Sequence, residues 1–191
     1  MLADRLKTDT RAAHADAEAS PSMRALMAPD VSPAAYREHL AGVARFVVPL
    51  ERRLAAAGLD AVVPDLDARL VKAAWLRQDL DALGDAAALP GADGGEPLGT
   101  AEALGALYVV EGSTLGGRLI ERHLARALGV TPETGARYYH AYGEARGARW
   151  TAFRAALDAF GAARPADADA VVAGADAAFR AFGQALRSVA A

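Results

Sequence analysis

The 191-residue chain has no cysteine at all. That absence excludes disulfides, Cys-based iron–sulfur clusters, thiolate-ligated metal centres and Cys-type zinc sites. Any metal chemistry must run on His, carboxylate or Tyr, and there are four histidines to consider. Positive charge is not in excess either. Lys and Arg total 21 against 24 acidic residues, a net charge of −3, which argues against a nucleic-acid binder. Lysine is almost missing, with Lys7 and Lys72 the two present. No run of about 18 uninterrupted apolar residues occurs, so no transmembrane span is expected. The first stretch carries charges from Asp4 onward and lacks the apolar core of an export signal. The expectation is a soluble cytoplasmic protein that binds neither nucleic acid nor membrane.

What is present is alanine-rich hydrophobicity, 53% of the chain, with 24% charged residues. Such a chain buries a sizeable core and is expected to form one domain spanning residues 1–191. The periodicity is helical throughout. Leu2, Leu6, Ala13 and Ala17 mark a first helix that Ser20-Pro21 stops. Ser32-Pro33 opens a second, which runs to Gly58 with Pro49 as an expected kink. A third is expected from Pro64-Asp65 to near Gly84, followed by a surface loop over residues 84–99. Thr100 caps a long segment that Gly129 closes. A short piece after Thr131-Pro132 and two helices, roughly Ala145–Ala162 and Ala166–Val189, complete the chain. The fold class is therefore all-α, with seven or eight helices of irregular length rather than a symmetric bundle.

Two constellations carry chemistry. On the first helix, Lys7 and His14 are seven residues apart, two turns or about 10 Å along one face, and Glu18 lies one turn beyond His14. A carboxylate at i+4 can hold one ring nitrogen, fixing the tautomer and leaving the other free for iron. A cation two turns away can reach the propionate edge of a heme. The same trio also suits a plain solvated helix face. In the long segment, Gly112, Gly116 and Gly117 interrupt an apolar helix beside Ser113. Each costs about 0.5–1 kcal/mol relative to alanine. Their bare backbone admits either a planar ligand or a closely packed second helix.

The run LYVVEGSTLGGRLIERHL, with LKTDTRAAHADAE before it and GARYYHAYGEARGARWTAFRAAL after it, resembles the heme oxygenase family in its bacterial EGS-type branch. The likeness spans Leu2 to about Leu157. It implies a multi-helical fold with a heme slot between the first helix and a kinked distal helix. His14 is then the proximal iron ligand and Glu18 its partner. Lys7 and, on a looser alignment, Arg154 contact the propionates, and Gly112 and Gly116 lie against the heme plane with Gly117 beside them. Many family members carry Asp where Ser113 stands, so oxygen activation rests on water held by backbone groups and Ser113.

The implied activity is oxidative opening of heme, which is both substrate and cofactor, to biliverdin, carbon monoxide and ferrous iron. O2 and an electron donor such as a ferredoxin or a flavin/NADPH reductase are required, and a bilin-binding photoreceptor is a conceivable downstream partner. A heme carrier or sensor without ring cleavage, a helical interaction module and a related enzyme on another substrate stay open as alternatives. Of the other histidines, His39 reads as a surface or boundary residue. His123 lies about 16 Å along the axis from Gly112 and His140 reads as structural. Arg118, Arg122 and Arg126 form an i,i+4 row that is either a solvated face or a dock for an acidic donor.

Overall fold

The computed structural model describes residues 1–86, 89–90 and 95–187. Among them are nine α-helices and no strand. They are α1 (Leu2–Asp9), α2 (Arg11–Glu18), α3 (Pro21–Leu26), α4 (Pro33–Ala55), α5 (Lys72–Ala82), α6 (Thr100–Leu128), α7 (Arg137–His140), α8 (Arg146–Ala163) and α9 (Ala168–Arg187). None is long and apolar enough to cross a membrane. Parts of the expected 84–99 loop and the end of the last helix at Val189 lie outside the described residues.

Local sequence accounts for most boundaries. The Ser20 hydroxyl accepts from the Met23 N–H at 3.3 Å and the Ser32 hydroxyl from the Ala35 N–H at 3.1 Å. Pro21 and Pro33 follow at the first helical position, where a missing N–H costs nothing. Ser20-Pro21 therefore ends α2 and also opens α3. The helix α4 continues through Pro49, and α6 continues through its glycines to a left-handed Gly129 at φ 69°.

Two expectations are corrected. The opening helix is two helices that meet at Thr10, whose buried hydroxyl donates back to the Leu6 carbonyl at 2.7 Å. Such back-bonding competes with regular helix geometry. The helix expected from Pro64-Asp65 begins only at Lys72. Asp65 adopts φ +57°, and Arg69 and Leu70 close turns on the Leu66 carbonyl at 2.8 and 3.0 Å. The first N–H groups of α5, on Lys72 and Ala73, are capped by the Glu51 carboxylate of α4 at 2.6 and 3.0 Å. A cap delivered from a distant helix leaves no local signal.

The most extensive helix pair is α6 with α9. A Cβ on Gly105 would stand 1.9 Å from the Val171 carbonyl oxygen, and one on Gly174 would stand 2.2 Å from the Glu102 carbonyl oxygen. The two backbones touch, and no side chain larger than hydrogen fits at either position. Around this contact lies one core that includes Leu6, Leu40, Leu76, Leu104 and Phe153. His39 belongs to it rather than to the surface. It is 1% exposed, with Nδ1 2.8 Å from the Ser22 hydroxyl and Nε2 2.6 Å from the Tyr139 phenol. Burial pushes its pKa down to about 3, so it stays neutral.

Gly105→Ala is expected to lower unfolding free energy by more than about 2 kcal/mol, because backbone rather than a flexible tip blocks the added methyl. An unchanged urea midpoint would contradict the contact. A second expectation concerns pH. The buried Asp79 carboxylate accepts from the N–H groups of Arg137 and Tyr138 at 2.6 and 2.8 Å, which caps α7. Desolvation wins over these bonds and raises its pKa from 3.8 to about 6. The folded state thus holds that proton more tightly than the unfolded chain. Asp79 is expected to leave stability highest below about pH 4 and falling by up to about 3 kcal/mol as pH rises through 6. Urea unfolding across this range should lose that slope in Asp79→Asn.

Candidate functional site

His14 sits mid-way along α2 with its side chain 51% exposed, and its Nδ1 is 3.7 Å from a Glu18 carboxylate oxygen. That separation is an ion-pair distance rather than a hydrogen bond. The ring stands edge-on to Phe179 of α9, centroids 5.1 Å apart at 87°. Its Nε2 has no hydrogen-bond partner among the described residues. The packing that fixes the ring comes from α9, which approaches α2 so closely that a Cβ on Gly183 would lie 3.6 Å from the Ala17 Cα. Lys7 is exposed on α1. Because α1 ends at Asp9, the two-turn wheel that joined Lys7 to His14 is not one continuous helix.

The three glycines of α6 have different surroundings. A Cβ on Gly112 would meet the Trp150 indole at 3.6 Å, and one on Gly116 would meet nothing within 4 Å. Gly117 is buried, and its Cβ would lie 3.0 Å from the Tyr139 carbonyl oxygen. Close packing therefore explains Gly117, which faces α7 rather than sharing the open side with Gly116. It does not explain Gly116. Leu115 and Leu119 flank that open glycine at 42% and 59% exposure, large apolar side chains left at the surface beside bare backbone. Burying such a side chain is worth about 1.5–3 kcal/mol, so their exposure marks a face suited to an apolar ligand. The Ser113 hydroxyl donates to the Val110 carbonyl at 2.8 Å. Nearby, burial pushes the Tyr138 phenol up to about 12, and a hydrogen bond with Ser113 opposes the shift.

One helix connects the glycines with α1. Trp150 of α8 lies against Gly112 and stacks at a tilt on Tyr108, centroids 5.6 Å apart. Arg154, one turn further along α8, pairs with Asp4 of α1 at 2.7 Å. Residues four apart on a helix are immediate neighbours. Gly112 and α1 thus pack against adjacent turns of α8.

A buried ion cluster holds α6 just before Gly112, and sequence reasoning did not find it. Glu111, Arg69 and Lys72 are each 1% exposed. Both cations pair with the Glu111 carboxylate. Lys72 Nζ also donates to the Tyr142 phenol at 2.6 Å, and that phenol donates to Glu111 at 2.8 Å. Desolvation lowers the Lys72 pKa while the Glu111 charge opposes it. The rarity of lysine was the one available signal, since Lys72 is half of the chain's supply. Glu111→Leu strands two cations and is expected to cost about 3–5 kcal/mol in urea unfolding. A loss below about 1 kcal/mol would mean that the pairs are solvated.

The remaining residues fall outside this region or play other parts. His140 Nδ1 is 2.7 Å from Glu121. His123 has a buried Nε2 with no partner among the described residues. Arg118, Arg122 and Arg126 are exposed.

No curated protein sequence matches this chain. Solved structures do. A heme oxygenase from Neisseria meningitidis, solved with NO and CO bound, is 29% identical with a TM-score of 0.81, over 99% of this chain and 92% of that one. Heme oxygenase 2 from Chlamydomonas reinhardtii, without heme, is 21% identical with a TM-score of 0.76, over 98% and 96%. Heme oxygenase-1 from the cyanobacterium Synechocystis, in complex with heme, is 18% identical with a TM-score of 0.70, over 98% and 91%. The family model described as Heme oxygenase matches residues 1–88 and 95–188. With an imidazole on α2, bare backbone on α6 and a match over nearly its whole length, the chain belongs to the heme oxygenase family.

Proposed function

We propose that this chain opens heme to biliverdin, carbon monoxide and ferrous iron, with heme lying between α2 and the Gly112–Leu119 face of α6. One observation carries the placement. Gly112 and Asp4 meet neighbouring turns of α8 through Trp150 and Arg154, so α6 and α1 both flank α8, while α2 and α6 both pack on α9. The residues present suit a heme. Nε2 of His14 is unpartnered, Gly116 has room for a flat ring, and Leu115 and Leu119 offer apolar surface.

Bound heme supplies both the iron at which O2 is reduced and the carbon skeleton that is oxidised. The protein's part is to hold, orient and exclude. His14 would offer Nε2 to the iron, its ring set by Phe179. Glu18 is placed to steady Nδ1 once the 3.7 Å gap closes slightly or a water bridges it. Gly116 leaves open space and Gly112 sets bare backbone beside the Trp150 indole, so neither would put a side chain against a bound heme. The Ser113 hydroxyl donates to the Val110 carbonyl, so toward a water on this face its oxygen would act as an acceptor. Lys7 and Arg154 supply cations for the propionates. Arg154 is already shared with Asp4, so its contact would be made in competition with that carboxylate. Electrons come from a ferredoxin or a flavin/NADPH reductase, for which the Arg118, Arg122 and Arg126 row is a candidate dock.

His14→Ala should leave the fold intact, because the side chain is half exposed. Its hemin complex should lose the optical spectrum of an axial imidazole and form no bilin when reduced in air, measured by absorbance and product chromatography. An unaltered spectrum with full turnover would remove His14 from the site. A wild-type complex that keeps its Soret band under reduction, with no bilin formed, would instead support the carrier reading.

A further inference from the structure

An open pocket lies beside α7. It offers about 520 Å³, open to solvent, between α5, the α6–α7 connection, α7 and the start of α8, within the size range of small-molecule sites. Its walls carry Arg137, Arg149, Trp75 and Tyr142. Arg137 lies 4.5 Å over the Trp75 ring and Arg149 lies 4.6 Å over the Tyr142 ring. Neither guanidinium forms a salt bridge among the described residues, and the charge of Arg137 is felt by Asp79 and Glu133 without direct contact. Arg137 donates to the Ala141 carbonyl, and Arg149 reaches the Ala68 carbonyl at 3.5 Å.

We propose that this cavity binds a small organic oxyanion, a phosphate ester or a polycarboxylate, between the guanidinium groups of Arg137 and Arg149. Stacking fixes each guanidinium plane by one face and leaves donor edges for a bidentate acceptor. The backbone agrees. Ala141, whose carbonyl orients Arg137, sits at φ +48° and ψ −120°, a conformation that costs about 1–3 kcal/mol and gathers at ligand sites. Glu133 at the rim is the opposing charge in the wall. It accepts from the Thr131 hydroxyl at 2.7 Å, which ties it to its own turn. His140 adds a third basic group, already engaged by Glu121. Tyr142 links this cavity to the distal helix, since its ring forms the wall while its phenol bonds Glu111. The proposal does not depend on heme binding.

The test is calorimetric titration of the full chain at low salt with pyrophosphate in one arm and citrate in the other. Saturable binding by either probe is expected, and which arm responds tells phosphate from carboxylate chemistry. Arg149→Gln should weaken that binding by about tenfold or more. Ala68→Glu, an exposed position that would hand Arg149 an internal carboxylate, should do the same without removing a buried contact. No heat from either probe at about 5 mM, where even millimolar affinity is visible, would overturn the site. Undiminished binding in the folded Ala68→Glu variant would overturn it equally.

Discussion

The contact between the backbones of α6 and α9 is the constraint from which the rest of the site follows. At Gly105 and Gly174 the two helices touch main chain to main chain. That contact fixes their separation and leaves little freedom to slide. The same α9 then runs on to α2, where Gly183 admits Ala17 and Phe179 supports the His14 ring. One helix thus sets where the imidazole stands and also where the distal helix stands. Neither wall has to be positioned by the ligand it would hold.

The polar side of α6 does the complementary work. Successive residues point to different partners: Glu111 into the ion cluster, Gly112 against an indole, Gly117 against the Tyr139 carbonyl. A carboxylate between two buried cations is costly to desolvate, so it holds only where all its partners arrive together. They come from the turns before α5, from α5 itself and from the α7–α8 connection. The helix is thereby anchored on one side while Leu115, Gly116 and Leu119 remain open on another. This asymmetry separates an open face from a packing face within a few residues.

Much of this was legible in the chain. Ser-Pro caps, the closing Gly129 and helical spacing gave most helices, and the His14 and Glu18 pair stood out against a run of alanines. The glycine cluster was visible, but its division of labour was not. Sequence spacing groups Gly112 with Gly116 and sets Gly117 beside them, whereas only coordinates separate an indole at Gly112, open space at Gly116 and a carbonyl 3.0 Å from a Gly117 Cβ. His39 looked like a boundary residue because its neighbours Arg37 and Glu38 are polar. Its burial depends on Ser22 and on Tyr139, 100 residues away. The segment 64–71 kept a helix-like apolar pattern, yet its Leu66 is buried within turns.

By itself, the sequence determined the helical class, the absence of thiol chemistry, the imidazole–carboxylate pair and the resemblance to heme oxygenases. These rest on residue identity and on spacings of three and four, which local backbone geometry enforces. Tertiary structure decided which glycine packs and which stays open, where Arg154 finds its partner, and that Glu111, Arg69 and Lys72 form one buried cluster. Those outcomes rest on groups far apart in the chain, whose meeting depends on how whole helices cross rather than on any local spacing.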